Sequence, residues 1–278
     1  MIKICAFADE ASPQITGQIA AMKRNGISLL EIRGVDGTNI SDISADKARE
    51  VRRMLDAEGM SVWSMGSPIG KISLADDFDA HVEKFKRILD YADILGASKI
   101  RLFSFFPIAG ESEEVTLQKV LERLNVLCDL TPDHIVLCHE NEKKIYGETP
   151  ERCLNIHKAL PKVRAVFDPA NFVQCDVDTL KAWEILKDYV EYMHIKDAQA
   201  DHGVVPAGTG IGNITELAKR YMAQGGSLFT MEPHLHIFAG LDKLENGESL
   251  KSGGQSYANN DEAFDAGVAA FRAAVATL

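Results

Sequence analysis

The feature that most constrains this chain is an alternation: eight short β-rich runs, each followed by a stretch with helical periodicity. The runs cover 3–7, 29–33, 61–64, 99–103, 134–139, 164–168, 192–196 and 227–232. Between the third and fourth, Phe78, Val82, Phe85, Leu89 and Ala92 recur at spacings of three and four, and Gly96 stands just past them as a C-cap. Ala48, Val51 and Leu55 repeat the pattern ahead of Gly59. Ser12-Pro13 and Thr149-Pro150 each supply a cap residue followed by proline at a first helical position. Strands that alternate with helices pair in parallel, because a parallel connection needs a crossover and a helix is the usual one. Eight such units in 278 residues predict one (β/α)8 TIM-barrel domain across 1–278, a fold that typically needs about 250 residues. An open doubly wound sheet is the runner-up, weakened because no GxGxxG follows the first run. The Gly- and polar-rich stretch 233–260 is expected to be an extended loop over the barrel mouth.

Composition narrows the class of function. Apolar residues make up 46% and charged residues 26%, enough for a large core in an ordinary globular chain. No apolar run approaches the roughly 18 residues of a membrane span, so no membrane partner is expected. Lys3 is the only basic residue before Asp9-Glu10, and the apolar start is too short for a signal peptide. The five cysteines are scattered without a CxxC pair, which reads as reduced thiols of a cytoplasmic protein. A net charge of −11 opposes binding to a phosphate backbone, so nucleic acid is not expected as a partner, and a small molecule is.

In a barrel of this kind the active site lies at the C-terminal ends of the strands. The fifth run ends in Cys138-His139-Glu140-Asn141-Glu142 and the sixth in Phe167-Asp168-Pro169-Ala170-Asn171. The seventh carries His194-Ile195-Lys196-Asp197, and the eighth ends in Met231-Glu232-Pro233-His234. That placement aims Glu140, Asp168, His194 and Glu232 at one point. Converging carboxylates repel one another unless a cation sits among them. Three carboxylates and an imidazole suit Mn²⁺, Mg²⁺ or Co²⁺, with Zn²⁺ also admissible. Each residue has a plainer reading. Asp168, ahead of Pro169, fits a helix cap or turn, and His194, between Met193 and Ile195, fits a core histidine. Four on four consecutive strands are harder to dismiss, and on the residues alone the metal and the plainer readings stand level.

At these residues the chain resembles the xylose isomerase-like barrel superfamily, specifically its sugar phosphate isomerase/epimerase branch. The likeness runs over essentially the whole chain. It is carried by His139-Glu140-Asn141, Tyr146-Gly147-Glu148-Thr149, Asp168-Pro169-Ala170-Asn171, His194-Ile195-Lys196-Asp197, Pro206-Ala207-Gly208-Thr209-Gly210 and Glu232-Pro233-His234. The resemblance implies that Glu140, Asp168, His194 and Glu232 ligate one divalent metal ion. It also implies that Glu140 and Glu232 flank a small carbohydrate substrate as acid and base. Many ketose epimerases have a histidine where this chain has Asn171. The implied activity is isomerisation or epimerisation by proton abstraction next to a carbonyl, through an enediolate that a Lewis acid stabilises. An inosose dehydratase-like lyase and a non-catalytic sugar-binding barrel are the alternatives. A nuclease like endonuclease IV, the superfamily's DNA-repair relative, would need more strand-end histidines and a basic groove. By analogy with related barrels that pair, a homo-oligomer is also expected.

Several residues form a second tier of expected substrate contacts. Alternation puts Lys196 on the face of His194, with Asp197 next to it. Asn171 is suited to a substrate hydroxyl. Arg33 and Arg101, like Glu31, can meet a substrate carboxylate or phosphate, or equally form buried ion pairs. His139 should turn away from the barrel interior if Glu140 turns toward the mouth. Gly208-Thr209-Gly210-Ile211-Gly212-Asn213 reads as a flexible loop, with backbone phosphate binding as the alternative.

Overall fold

The computed structural model describes residues 2–241 and 253–278. Eight parallel strands form its centre: β1 (Lys3–Ala6), β2 (Leu29–Ile32), β3 (Ser61–Gly66), β4 (Lys99–Leu102), β5 (Val136–Glu140), β6 (Arg164–Phe167), β7 (Val190–Ile195) and β8 (Leu228–Met231). Each pairs with its sequence neighbour, and β8 pairs with β1 in the register Lys3↔Leu228 to Ala6↔Met231, so the sheet closes on itself as a single-domain barrel. Closure leaves no exposed sheet edge.

Helices cross over between the strands: α1 (Ile15–Arg24), α2 (Ala45–Ala57), α3 (Phe78–Leu95), α4 (Glu113–Leu130), α5 (Pro150–Ala159), the single turn α6 (Pro169–Val173), α7 (Thr179–Leu186), α8 (Ile214–Ala223) and α9 (Asn260–Ala274). Sequence signals set their ends. Gly96 takes φ 73° to cap α3, a conformation that costs glycine little. Thr149 accepts from the Arg152 N–H with Pro150 at the first turn of α5. Ser12-Pro13, by contrast, does not open α1. The helix starts at Ile15, whose N–H is taken by Asp36 at 3.0 Å, while Ser12 caps only the turn before it.

Strand boundaries move by about two residues from those expected, for local reasons. His134 still belongs to a turn closed by the Ile135 N–H on the Pro132 carbonyl, so β5 begins at Val136. Val190 already pairs with Ala165, so β7 begins earlier than its apolar pattern suggested. The main core lies between the strands and the helices, with Phe85, Leu124, Trp183 and Phe271 fully buried. A smaller cluster of Cys5, Cys138, Val166, Tyr192 and Leu228 packs separately from it. Of the expected 233–260 loop, residues 242–252 lie outside the described residues, and 233–240 carry neither helix nor strand.

Candidate metal centre

The four strand-end residues do converge. Glu140 is the last residue of β5, Asp168 follows β6, His194 lies on β7, and Glu232 follows β8. All four are buried, and one ligand atom from each lies within 4.8 Å of the other three. His194 Nδ1 is 3.1 Å from both Glu140 Oε1 and Glu232 Oε2. Glu140 Oε2, Asp168 Oδ2 and Glu232 Oε2 take part in no hydrogen bond, although a buried carboxylate oxygen ordinarily finds a donor. Arg101, Lys196 and His194 stand 3.0 to 3.1 Å from these oxygens without a well-formed hydrogen bond, and three carboxylates and an imidazole facing one another form a donor set that fits a divalent cation.

Asp168 combines the two roles the sequence offered. Its Oδ1 accepts the Asn171 N–H at 2.9 Å as the cap of α6, while Oδ2 lies 3.0 Å from Lys196 Nζ. Asn141 fixes its backbone, accepting the Asp168 N–H and donating to the Asp168 carbonyl, both at 2.9 Å. Asn171 is also brought in, and its amide donates to Glu140 Oε1 at 3.3 Å and to the Asn141 carbonyl at 2.9 Å. It therefore steadies Glu140. Lys196 shares the face of His194 as alternation required, and it also reaches Glu232 Oε2 at 3.6 Å.

Arg33 and Arg101 both reach the centre, where each meets a carboxylate of the chain. Arg101 lies 3.1 Å from Glu140 Oε2. Arg33 donates to Glu232 Oε1 at 2.8 Å and to Asp9 at 3.0 Å, and stands 3.4 Å from Glu10. Its guanidinium lies between the rings of Phe7 and Phe238, 4.3 and 4.9 Å from their centroids. Glu10 and His234 join Glu232 in a second cluster of ligating side chains. Arg33 already supplies that cluster with a positive charge. The sequence signal for Glu10 was present: Asp9-Glu10 stands just past the first strand, as Asp168 and Glu232 do past theirs.

Asp197 is not brought to the centre. Its Oδ1 accepts the N–H groups of Ala198 and Gly212, and its Oδ2 those of Gly208 and Gly210, all at 2.9 to 3.0 Å. A carboxylate has about four acceptor positions, and a backbone amide fills each. The expectation of a substrate contact at Asp197 is corrected accordingly. The same bonds occupy the Gly208, Gly210 and Gly212 amides, which are therefore not open to an anion. Gly210 has no room for a side chain, since a Cβ would come within 2.4 Å of both Asp197 Oδ1 and the Ala198 carbonyl. His139 turns outward, as expected, onto His157 at 5.8 Å between ring centroids. It lies close enough to Gly147 that a Cβ there would meet its ring at 2.4 Å.

The charges in the centre are strongly coupled. Burial disfavours a charged His194, yet Glu140 and Glu31 outweigh it and hold the ring well above the usual histidine range. Burial would also raise Glu232, but Lys196, His234 and His194 keep it well below the usual carboxylate range. Asp168 is pushed up to about 6 by burial, against the pull of Lys196. Beside the centre lies a cavity of about 270 Å³, lined by Asp9, Arg33, Asn39, Arg101, Phe103 and Phe238 among others. Among the described residues no helix is long and apolar enough to cross a membrane.

Known proteins agree with this architecture. The family model described as xylose isomerase-like TIM barrel matches residues 19–246. No curated protein sequence matches the chain. Among solved structures, L-ribulose 3-epimerase aligns with a TM-score of 0.75 at 15% identity, covering 100% of this chain and 95% of that one. D-psicose 3-epimerase, solved in the presence of D-fructose, aligns with a TM-score of 0.75 at 17% identity over 99% of both chains. The probable 3-DHS dehydratase AsbF from Bacillus anthracis aligns with a TM-score of 0.73 at 16% identity, over 97% of this chain and 98% of that one. At such identities these likenesses speak for the fold.

Proposed function

The chain belongs to the xylose isomerase-like TIM barrel family, and from that premise we propose that it is a divalent-metal-dependent isomerase or epimerase of a small keto-sugar. The observation that carries this reading is the convergence of buried carboxylates from Glu140, Asp168 and Glu232 on His194, with one ligand atom of each within 4.8 Å of the others. Those four residues would hold the ion, with Mn²⁺, Mg²⁺ or Co²⁺ best matched to a mainly oxygen donor set. A bound divalent ion would act as a Lewis acid on a substrate carbonyl.

The chain's own groups supply the rest. Glu232, ionised and held through Oε1 by Arg33, turns Oε2 toward His194 and Lys196 and can take a proton from the carbon beside the carbonyl. Glu140, held by Arg101 and Asn171, stands on a different strand and returns a proton. Two carboxylates on opposite faces of the substrate give epimerisation. One shuttling between adjacent carbons gives isomerisation. Lys196 steadies the negative charge of Asp168 and Glu232.

The paired cations favour an uncharged substrate over a phosphorylated one. Arg33, Arg101 and Lys196 already face Asp9, Glu140 and Asp168, Lys71 faces Glu142 at 3.0 Å, and the glycine-loop amides are held by Asp197. The test is deuterium incorporation from D₂O into free ketoses and their phosphates, followed by NMR with Mn²⁺ present. Exchange at a carbon next to the carbonyl in free sugars supports the reading. Absence of exchange in every ketose tried, with metal bound, would remove the proton-transfer mechanism.

A further inference from the structure

Beneath the four ligating residues lies a carboxylate that belongs to neither ligating cluster. Glu31, on β2, is fully buried. Its Oε1 accepts the Tyr192 hydroxyl at 2.7 Å and the Ser64 hydroxyl at 3.3 Å, and its Oε2 lies 3.3 Å from His194 Nε2. Ser64 comes from β3, while Tyr192 and His194 come from the same face of β7, two residues apart. Four groups from three strands thus form one chain of contacts that ends at the imidazole.

We infer that Glu31 is a positioning residue that orients His194 for metal ligation, an inference that rests on the metal-dependent reading above. As a metal ligand the imidazole would give up one proton and be neutral, with one N–H and one lone pair. With Nε2–H given to Glu31 Oε2, the lone pair is left on Nδ1, the atom that faces Glu140 and Glu232 at 3.1 Å. The ring cannot easily turn away from this pose. Phe7 meets it edge-on at 5.2 Å and Tyr192 packs at 5.6 Å between centroids. Glu31 does not share the ion itself, because its carboxylate lies beside Nε2 while the other ligands gather at Nδ1. A substrate carboxylate or phosphate is ruled out as its partner, since like charges repel and its oxygens are occupied.

A fully buried carboxylate would be costly without partners. Here three donors satisfy it, and Tyr192 in turn fixes Glu31. A carboxylate behind a ligating histidine sets the tautomer and raises ligand basicity, and its loss typically weakens metal binding about 10- to 100-fold.

The test uses the full chain loaded with Co²⁺, with affinity read by chelator competition and ligand geometry by the visible d–d spectrum. Glu31→Gln should weaken Co²⁺ about 10- to 100-fold and alter the spectrum. Tyr192→Phe, which removes one hydrogen bond to Glu31, should weaken it roughly two- to tenfold. A Glu31→Gln protein that binds Co²⁺ within about twofold of wild type, with an unchanged spectrum, overturns the inference. If that variant does not fold, wild-type affinity and spectrum in Tyr192→Phe overturn it instead. A wild-type protein that binds no Co²⁺ removes the metal reading itself, and this inference with it.

Discussion

Asp168 and Asp197 invite direct comparison. Both follow a barrel strand, both are buried, and both accept backbone N–H groups. Asp168 spends one oxygen on the cap of α6 and turns the other, with Lys196 alone beside it at 3.0 Å, toward Glu140, His194 and Glu232. Asp197 has both oxygens filled by four amides, three of them from glycines. What separates an acid that can ligate from one that holds a loop is the acceptor capacity left over, and neither strand position nor burial reveals it.

The sharpest way to break this comparison is at the two glutamates. Glu232→Gln or Glu140→Gln should cut deuterium exchange by about 10²–10⁴-fold, the range of a general acid–base group. Near-normal turnover in metal-loaded Glu140→Gln would mean that its free oxygen has no chemical task. Next comes the pair of aspartates themselves. Asp197→Asn turns an acceptor into a donor facing amides, at a cost of about 2–3 kcal/mol, measured by urea unfolding of the metal-free protein. Its affinity for Mn²⁺ should stay close to wild type. Asp168→Asn should do the reverse, weakening Mn²⁺ binding while shifting the urea midpoint less. If both variants behave alike, leftover acceptor capacity is not the discriminator.

A smaller effect separates the centre from the helical shell. His157 and His81 are pushed down to about 4, mainly by burial, and His139 lies well below the usual histidine range for the same reason. The unfolded chain protonates these rings near pH 6.5, so between about 6.5 and 4 the unfolded state binds more protons and stability falls as pH falls. Replacing His157 with Gln should flatten that decline by roughly 1–2 kcal/mol between pH 6.5 and 4.5, read by denaturant melts at fixed pH steps. An unchanged slope would show that His157 titrates normally in the folded protein.

The barrel was legible because its signal is local and repeated: each run and each helical stretch declares itself within about a dozen residues. The convergence of Glu140, Asp168, His194 and Glu232 was legible for a related reason, since strand ends share one face of the fold. The partners of the arginines were not. Arg33 meets Glu232 across 199 positions of sequence and Asp9 across 24, and only closure of the ring brings these three together. Of the two readings open for Arg33, a substrate contact or a buried ion pair, the structure shows the ion pair. Glu31 was equally open between a substrate contact and an internal pair, because the donors that settle it, Tyr192 and Ser64, sit on other strands. Asp197 looked like a rim residue because the sequence cannot show that the glycines after it fold back onto its carboxylate.

The seam between β1 and β8 has a consequence for how the molecule is made. Lys3 must find Leu228, a contact across most of the chain, and such distant pairings form slowly because loop-closure entropy is spent before they repay it. Glu232 stands one residue past that seam, and its anchor Arg33 is tied to Asp9 on the other side of it. Ion capture is thus expected to lag behind the growth of secondary structure in a refolding experiment. Bound metal would then serve as a clock for the final stitch of the ring.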